Sequence, residues 1–193
     1  MAGDKSMIEK INPSVIRSKQ FITEALLELM TEEDFNSIKI TEITRRAQVD
    51  RKTFYRNFES KEDILIQYGD LLAQEFIKKI KATSELNCYK VGLIYFEFWL
   101  QHLEFLKLLL RQNLLVFFTC KFNKRVPDIF KEITSITNYQ EIDEEFYQYQ
   151  MHYIAGGIWN LLLKWIEDGA IKPPHEMALI FKSLFDFKVC CER

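Results

Sequence analysis

The stretch Ile38–Leu65, IKITEITRRAQVDRKTFYRNFESKEDIL, fits two amphipathic repeats, a turn and a capped helix start into under thirty residues, which leaves few folds open. Ile40, Ile43 and Ala47 recur at the i, i+3, i+7 spacing of one helical stripe, with Glu42, Arg45 and Arg46 on the outer face. Asp50 stands where its carboxylate can accept the free amide hydrogens that open a second helix. In that helix Phe54 and Phe58 lie four apart on one face, and Arg51, Lys52, Thr53, Tyr55 and Arg56 point away from it. Ser60 and Asp63 resemble a capping box, so a third helix starts at Lys61, where an ammonium and free amides together attract a phosphate.

Charge supports a nucleic-acid partner. Lys39 to Lys61 holds seven basic residues against three acidic ones, a net +4, in a chain whose total is −2. Solubility alone does not require positive charge concentrated on one element of an acidic chain, whereas counterion release from DNA favours it. The two-helix geometry, the cap and the Thr-Phe-Tyr segment together read as a helix-turn-helix suited to DNA.

These residues resemble the DNA-binding signature of the tetracycline-repressor (TetR) family of bacterial transcriptional regulators. In that family a helix, a turn and the run T-[LF]-Y-x-x-F are followed closely by a Lys opening helix four, here Thr53-Phe54-Tyr55-Arg56-Asn57-Phe58 and Lys61. Upstream, RSKQFITEALLELM resembles the first helix, with Ile22, Ala25, Leu26 and Leu29 facing the core and Asn12-Pro13 as N-cap and first-turn pair. The likeness covers about residues 13 to 66. The chain departs from the pattern at Gln48, where a turn Gly is usual, at Lys52 (a small residue), at Asp34 (a Gly) and at Lys39 (a Thr or Ser cap). If the turn keeps its usual shape, Gln48 must adopt a left-handed backbone, at a cost of about 1 kcal/mol.

The resemblance implies roles residue by residue. Thr53, Tyr55 and Lys61 would contact phosphates, and Lys39 and Thr41 would lie against the DNA backbone. Arg51, Lys52 and Arg56 would reach base edges, since Arg can donate a bidentate pair to guanine. It also implies a helix-turn-helix domain over 8–60 and a helical regulatory and dimerisation domain over 61–193.

Composition agrees with an all-helical chain. Gly and Pro are scarce, six and four, 48% of residues are hydrophobic and 14% aromatic, and neither alternating strand patterns nor internal repeats occur. Stripes and breakers place helix four over Lys61 to about Lys81 and a loop over Ala82 to Asn87. An apolar run over Cys88 to Leu115 divides into two helices near Gln101 to Leu103. Further helices are expected over Val126 to Thr137, over Asp143 to Asp168, ended by Gly169, and from Pro173 to about Val189. With neither an apolar stretch long enough to span a bilayer nor the apolar region of a signal peptide in MAGDKSMIEK, the expected location is cytoplasmic. Cys88, Cys120, Cys190 and Cys191 lack CxxC spacing and read as free thiols, a reading that stands ahead of a redox role for the Cys190-Cys191 tail.

The helix from Asp143 is apolar on two sides, with Phe146, Tyr149 and Tyr153 on one and Met151, Ile154, Ile158, Leu162 and Trp165 on the other. One side can pack on its own chain and the other needs a partner, which Gly156-Gly157 would let approach closely. The segment YIAGGIWNLLLKWIEDGAIKPPHEM resembles the C-terminal part of the same family, which implies a homodimer through the last two helices on a palindromic double-stranded DNA operator. The family resemblance further implies a small apolar or aromatic effector, for which Tyr95, Trp99, His102, Phe118, Phe122, Tyr149 and Tyr153 are the candidate lining, although aromatics at helical spacing are more often core.

His102, His152 and His175 show no metal-ligand spacing, so neither metal nor cofactor is expected. The leading reading is a ligand-responsive, sequence-specific repressor. The alternative is a DNA-binding regulator controlled by a protein partner. An enzyme is not expected, because no nucleophile–base pair, Gly-rich phosphate loop or paired-carboxylate site is present.

Overall fold

A computed structural model describes residues 13–127, 129 and 144–185. Among them are nine α-helices and no strand: α1 (Pro13–Glu32), α2 (Ile40–Arg46), α3 (Arg51–Asn57), α4 (Lys61–Lys81), α5 (Cys88–Gln101), α6 (Leu103–Arg111), α7 (Leu115–Phe122), α8 (Glu144–Glu167) and α9 (Pro174–Phe185). They form two compact units, Met1–Leu65 and Ile66–Arg193, with the boundary inside α4.

In the first unit, α1 begins at Pro13, whose missing amide hydrogen is no loss in a first turn. Its buried stripe is Ile22, Ala25, Leu26, Leu29 and Met30. Also buried in this unit are Phe35 and Ile38 of the loop, Ile43 and Ala47 of the second-helix region, Phe54 and Phe58 around α3, and Ile64 and Leu65 of α4. α2 ends in a Schellman turn: the Val49 amide donates to Thr44 O at 3.0 Å and the Gln48 amide to Arg45 O at 3.3 Å. Gln48 carries φ +53°, the left-handed backbone this turn demands.

The second unit buries one aromatic-rich core. The apolar run breaks at His102 (φ −108°, ψ 20°), which ends α5 and precedes α6. Trp99 meets Trp159 of α8 at 5.3 Å between ring centroids, and Phe96 meets Trp165 at 5.4 Å. Both α8 indoles are satisfied, Trp159 Nε1 donating to Asn123 Oδ1 at 2.9 Å and Trp165 Nε1 to Lys172 O at 2.8 Å, as buried indoles require. α5 and α9 approach closely at Gly92, where an added Cβ would lie 2.8 Å from the Phe181 ring. Gly169, with φ +82°, follows the end of α8.

Two expectations change. α7 was not anticipated, because Leu115–Phe122 reads as the tail of the apolar run; the break is Asn113, whose φ of +56° ends α6. The helix expected over Val126 to Thr137 is seen at Val126, Pro127 and Ile129, and the rest lies outside the described residues, as do Asn12, Val189, Cys190 and Cys191.

Gln48→Gly should raise stability to chemical denaturation by about 0.5–1 kcal/mol, the relieved left-handed strain exceeding the added freedom of the unfolded chain. Gly92→Ala should lower it by about 1–3 kcal/mol, since the Phe181 ring must shift. Denaturant midpoints at constant slope would check both.

Candidate nucleic-acid interface

α3 is a short helix fixed at both ends. Asp50 Oδ1 accepts from the Thr53 amide at 2.6 Å, and the Phe58 amide closes the last turn on Phe54 O at 2.9 Å. Phe54, Asn57 and Phe58 face inward, so Arg51, Lys52, Tyr55 and Arg56 share the solvent side, with Tyr55 half exposed. The Arg51 guanidinium sits 5.9 Å from the centre of the Tyr55 ring and donates to its hydroxyl at 3.5 Å. The Tyr55 ring in turn stands edge-on to Phe54 at 5.3 Å. A basic and aromatic face is thus backed by core residues of the same helix.

The other predicted residues are placed differently. Lys39 and Thr41 are exposed at the start of α2. The Lys39 amide donates to Glu42 Oε2 at 2.8 Å, one of the two bonds of a capping box; the other, in which a Ser or Thr oxygen at the N-cap accepts from an amide of the first turn, cannot be made by a Lys, whose ammonium has no acceptor. Thr53 is only half exposed, and its amide and hydroxyl both donate to Asp50.

Lys61 does not face outward as a free ammonium. Its Nζ donates to the carbonyls of Phe35, Asn36 and Ile38 at 2.5, 3.1 and 3.0 Å. Carbonyls of a folded-back loop carry no signature in the sequence, so this arrangement was not foreseeable. Nor was the pairing of Arg46, which makes a bidentate contact with Glu32 at 2.5 and 2.7 Å and approaches Glu28 at 3.7 Å. That contact ties α2 to α1 and withdraws one of the seven positive charges from the outer face. Arg45, absent from the predicted set, is exposed; its position outside the Ile40–Ile43–Ala47 stripe was the available signal.

Of the residues expected to line an effector pocket, five come together in the second unit. Tyr95, His102 and Phe122 each approach Trp99, at 6.3, 6.5 and 5.8 Å, and Phe118 stacks on Phe122 at 5.8 Å. Trp99, Phe118 and Phe122 are buried. Burial pushes the Tyr95 phenol well above its usual range, with Trp99 opposing part of the shift. It lowers the imidazole of His102, whose Nε2 lies 3.9 Å from Glu75 Oε2. Beside this cluster, Ile66, Gly69, Asp70, Phe117, Phe118, Lys121 and Phe122 border a cavity of about 10 Å³, room for about one water. Tyr149 and Tyr153 do not join them: they are 71% and 83% exposed on the side of α8 opposite Met151 and Ala155.

The descriptions of known families now match the geometry. Residues 22–68 match the family described as bacterial regulatory proteins, tetR family, and residues 87–187 match the family described as transcriptional regulator C-terminal region. The chain belongs to the TetR family of transcriptional regulators. It is 27% identical over 198 residues to the HTH-type transcriptional regulator YxbF of Bacillus subtilis (strain 168), covering 96% of this chain and 49% of that one. The TetR-family chain therefore spans about half the length of this curated relative. Its fold is similar to that of a TetR-family regulator structure from Syntrophomonas wolfei, with a TM-score of 0.65 at 19% identity over 92% of this chain and 99% of that chain. It is also similar to the dihydroxyacetone kinase operon activator DhaS, with a TM-score of 0.61 at 16% identity over 88% and 94%. No helix among the described residues is long and apolar enough to cross a membrane.

The cap of α3 sets a pH dependence for this TetR-family module. The amide and then the hydroxyl of Thr53 hold the Asp50 carboxyl below its usual value. A carboxylate with a depressed folded pKa binds fewer protons in the folded state, so its contribution is complete above about pH 3.9 and is lost as pH falls through the lower folded value. Asp50→Asn should flatten the acid limb of the melting temperature below about pH 3.9 and leave it unchanged above. An unchanged limb would remove Asp50 from the acid response.

Proposed function

We propose that the protein is a sequence-specific repressor that binds a palindromic operator as a homodimer and is released by a small apolar or aromatic effector. The observation that carries the DNA-binding part is the common outward face of Arg51, Lys52, Tyr55 and Arg56 on a helix whose inner face is buried. Arg51, Lys52 and Arg56 reach base edges, while Tyr55, Thr53, Lys39 and Thr41 position the backbone. The exposed stripe of α8 supports the dimer: Tyr149, Tyr153, Gly157 and Asn160 lie on one side, and a Cβ added at Gly156 or Gly157 meets nothing within 4 Å. Leu179 and Leu184 of α9 are exposed as well. Two such helices from each protomer would place the reading helices about 34–36 Å apart, one turn of DNA.

The effector part rests on the aromatic cluster of Tyr95, Trp99, His102, Phe118 and Phe122, which offers ring area with three polar tips. Its close packing also favours a second reading, control by a protein partner without an effector. The fold neighbour DhaS is by its name an activator; a reporter gene placed behind the enriched site reads the sign of regulation, falling expression for a repressor and rising expression for an activator.

Selection from a randomised DNA library at two salt concentrations should enrich a palindrome bound by dimers with a steep salt dependence. Arg51→Ala or Arg56→Ala should then cost about 1–3 kcal/mol and relax preference at one operator position, while Tyr55→Phe should weaken all sequences alike. Gly157→Arg should yield a monomer in sedimentation and lose palindrome binding. No enriched motif and no salt-dependent binding would set the DNA reading aside. A melting shift with small aromatic compounds supports the effector, and a co-purifying protein that alters DNA binding supports the second reading.

A further inference from the structure

The cradle around Lys61 is complete in itself. An ammonium has three donors and no acceptor, and Lys61 Nζ has three carbonyls, those of Phe35, Asn36 and Ile38. The Phe35 ring closes a further side, its centre 4.6 Å away. All three acceptors belong to the loop that delivers the chain from α1 into α2. That loop has bonds of its own, the Asn36 amide to Asp34 Oδ1 at 2.8 Å and the Ser37 amide to Asp34 O at 2.9 Å, but these are internal to it. The Lys61 bonds reach it from α4, more than twenty residues further along. Ile38 O, the last of the three, lies two residues before α2 begins.

We infer that Lys61 is a positioning residue: its ammonium fixes the entry into α2, and through α2 the orientation of α3, instead of meeting a DNA phosphate. A phosphate contact would have to break charge-assisted hydrogen bonds already made at full valence. The consequence for recognition rests on the DNA-binding reading above; the clamp itself does not.

Two measurements on the full chain separate the possibilities. The first needs no DNA: backbone amide exchange in Lys61→Met should quicken over residues 36–43 by about tenfold or more, with α5 unchanged. The second compares an operator with random DNA across salt concentrations. For Lys61→Met the operator should lose more affinity than random DNA while the salt slope stays as in the wild type. A fold-only defect would lower both affinities alike. Lys61→Arg, which keeps the charge but replaces three diverging donors with a planar fork, should behave like Lys61→Met.

A salt slope shallower by about 0.9 per lost contact, near-normal binding by Lys61→Arg, or unchanged exchange over 36–43 would each overturn the inference. If Lys61→Met does not fold, the wild type decides: the ¹⁵N resonance of Lys61 Nζ should be the same with and without DNA, and coupling to phosphorus would refute the clamp. If no DNA is bound at all, the exchange experiment still tests the clamp, while the DNA reading fails on its own.

Discussion

The reversal between α2 and α3 is the constraint on which the first unit depends. Only Ala47 to Asp50 separate the helices, and within them Gln48 takes the left-handed backbone, Val49 returns a hydrogen bond to Thr44 O, and Asp50 caps α3. Because α3 is only seven residues long, it cannot hold itself together by propagation. The cap at one end and the burial of Phe54 and Phe58 supply its stability. Once those two rings are anchored, helical geometry leaves Arg51, Lys52, Tyr55 and Arg56 no inward direction. The outer face is therefore a consequence of the inner one.

Electrostatics divides the basic residues into two groups that a charge count does not distinguish. Arg46 is bound to Glu32 and Lys61 to three carbonyls, so both tie elements of the fold together. Lys39, Arg45, Arg51, Lys52 and Arg56 are exposed. The field of the module still includes all seven charges, but the groups positioned for close contact number fewer. In water an exposed Arg46–Glu32 pair is weak; its structural value lies in the bidentate geometry, which fixes the direction in which α2 leaves α1.

Much of this arrangement was legible in the sequence, and the reasons differ by residue. Ile22, Ala25, Leu26 and Leu29 announced their buried stripe by spacing, Asp50 its cap by side-chain chemistry, and Gln48 its strain by standing in a turn where Gly is usual. The bounds of α4, Lys61 to Lys81, followed from a cap signal and a polar loop. What the sequence concealed was non-local or carried by the backbone. Lys61 meets carbonyls more than twenty residues away, and a carbonyl is the same at every position. α7 was hidden because an apolar run has no period of its own, and a left-handed Asn113 ended α6 without a Gly or Pro to mark it. Tyr149 and Tyr153 were offered both as pocket lining and as a separate stripe of α8; their exposure favours the stripe.

α8 then poses the clearest energetic question in the second unit. Its inner side, Met151, Ala155, Trp159, Leu162 and Trp165, is locked by packing and by two indole hydrogen bonds, so the helix cannot roll to hide its other side. Tyr149 and Tyr153 therefore remain in water in the single chain, next to two glycines that leave the helix surface bare. Bare backbone beside exposed rings is a poor surface for a lone helix, since glycine weakens helix interiors by roughly 0.5–1 kcal/mol each relative to alanine. The same feature suits close approach by a second helix, where a small residue brings backbones together and neighbouring rings fill the margins. A helix with one face immobilised by its own core and the other thinned by glycine has the shape a second helix can seat on, which is why the proposed dimer belongs to the same reading as the proposed DNA face.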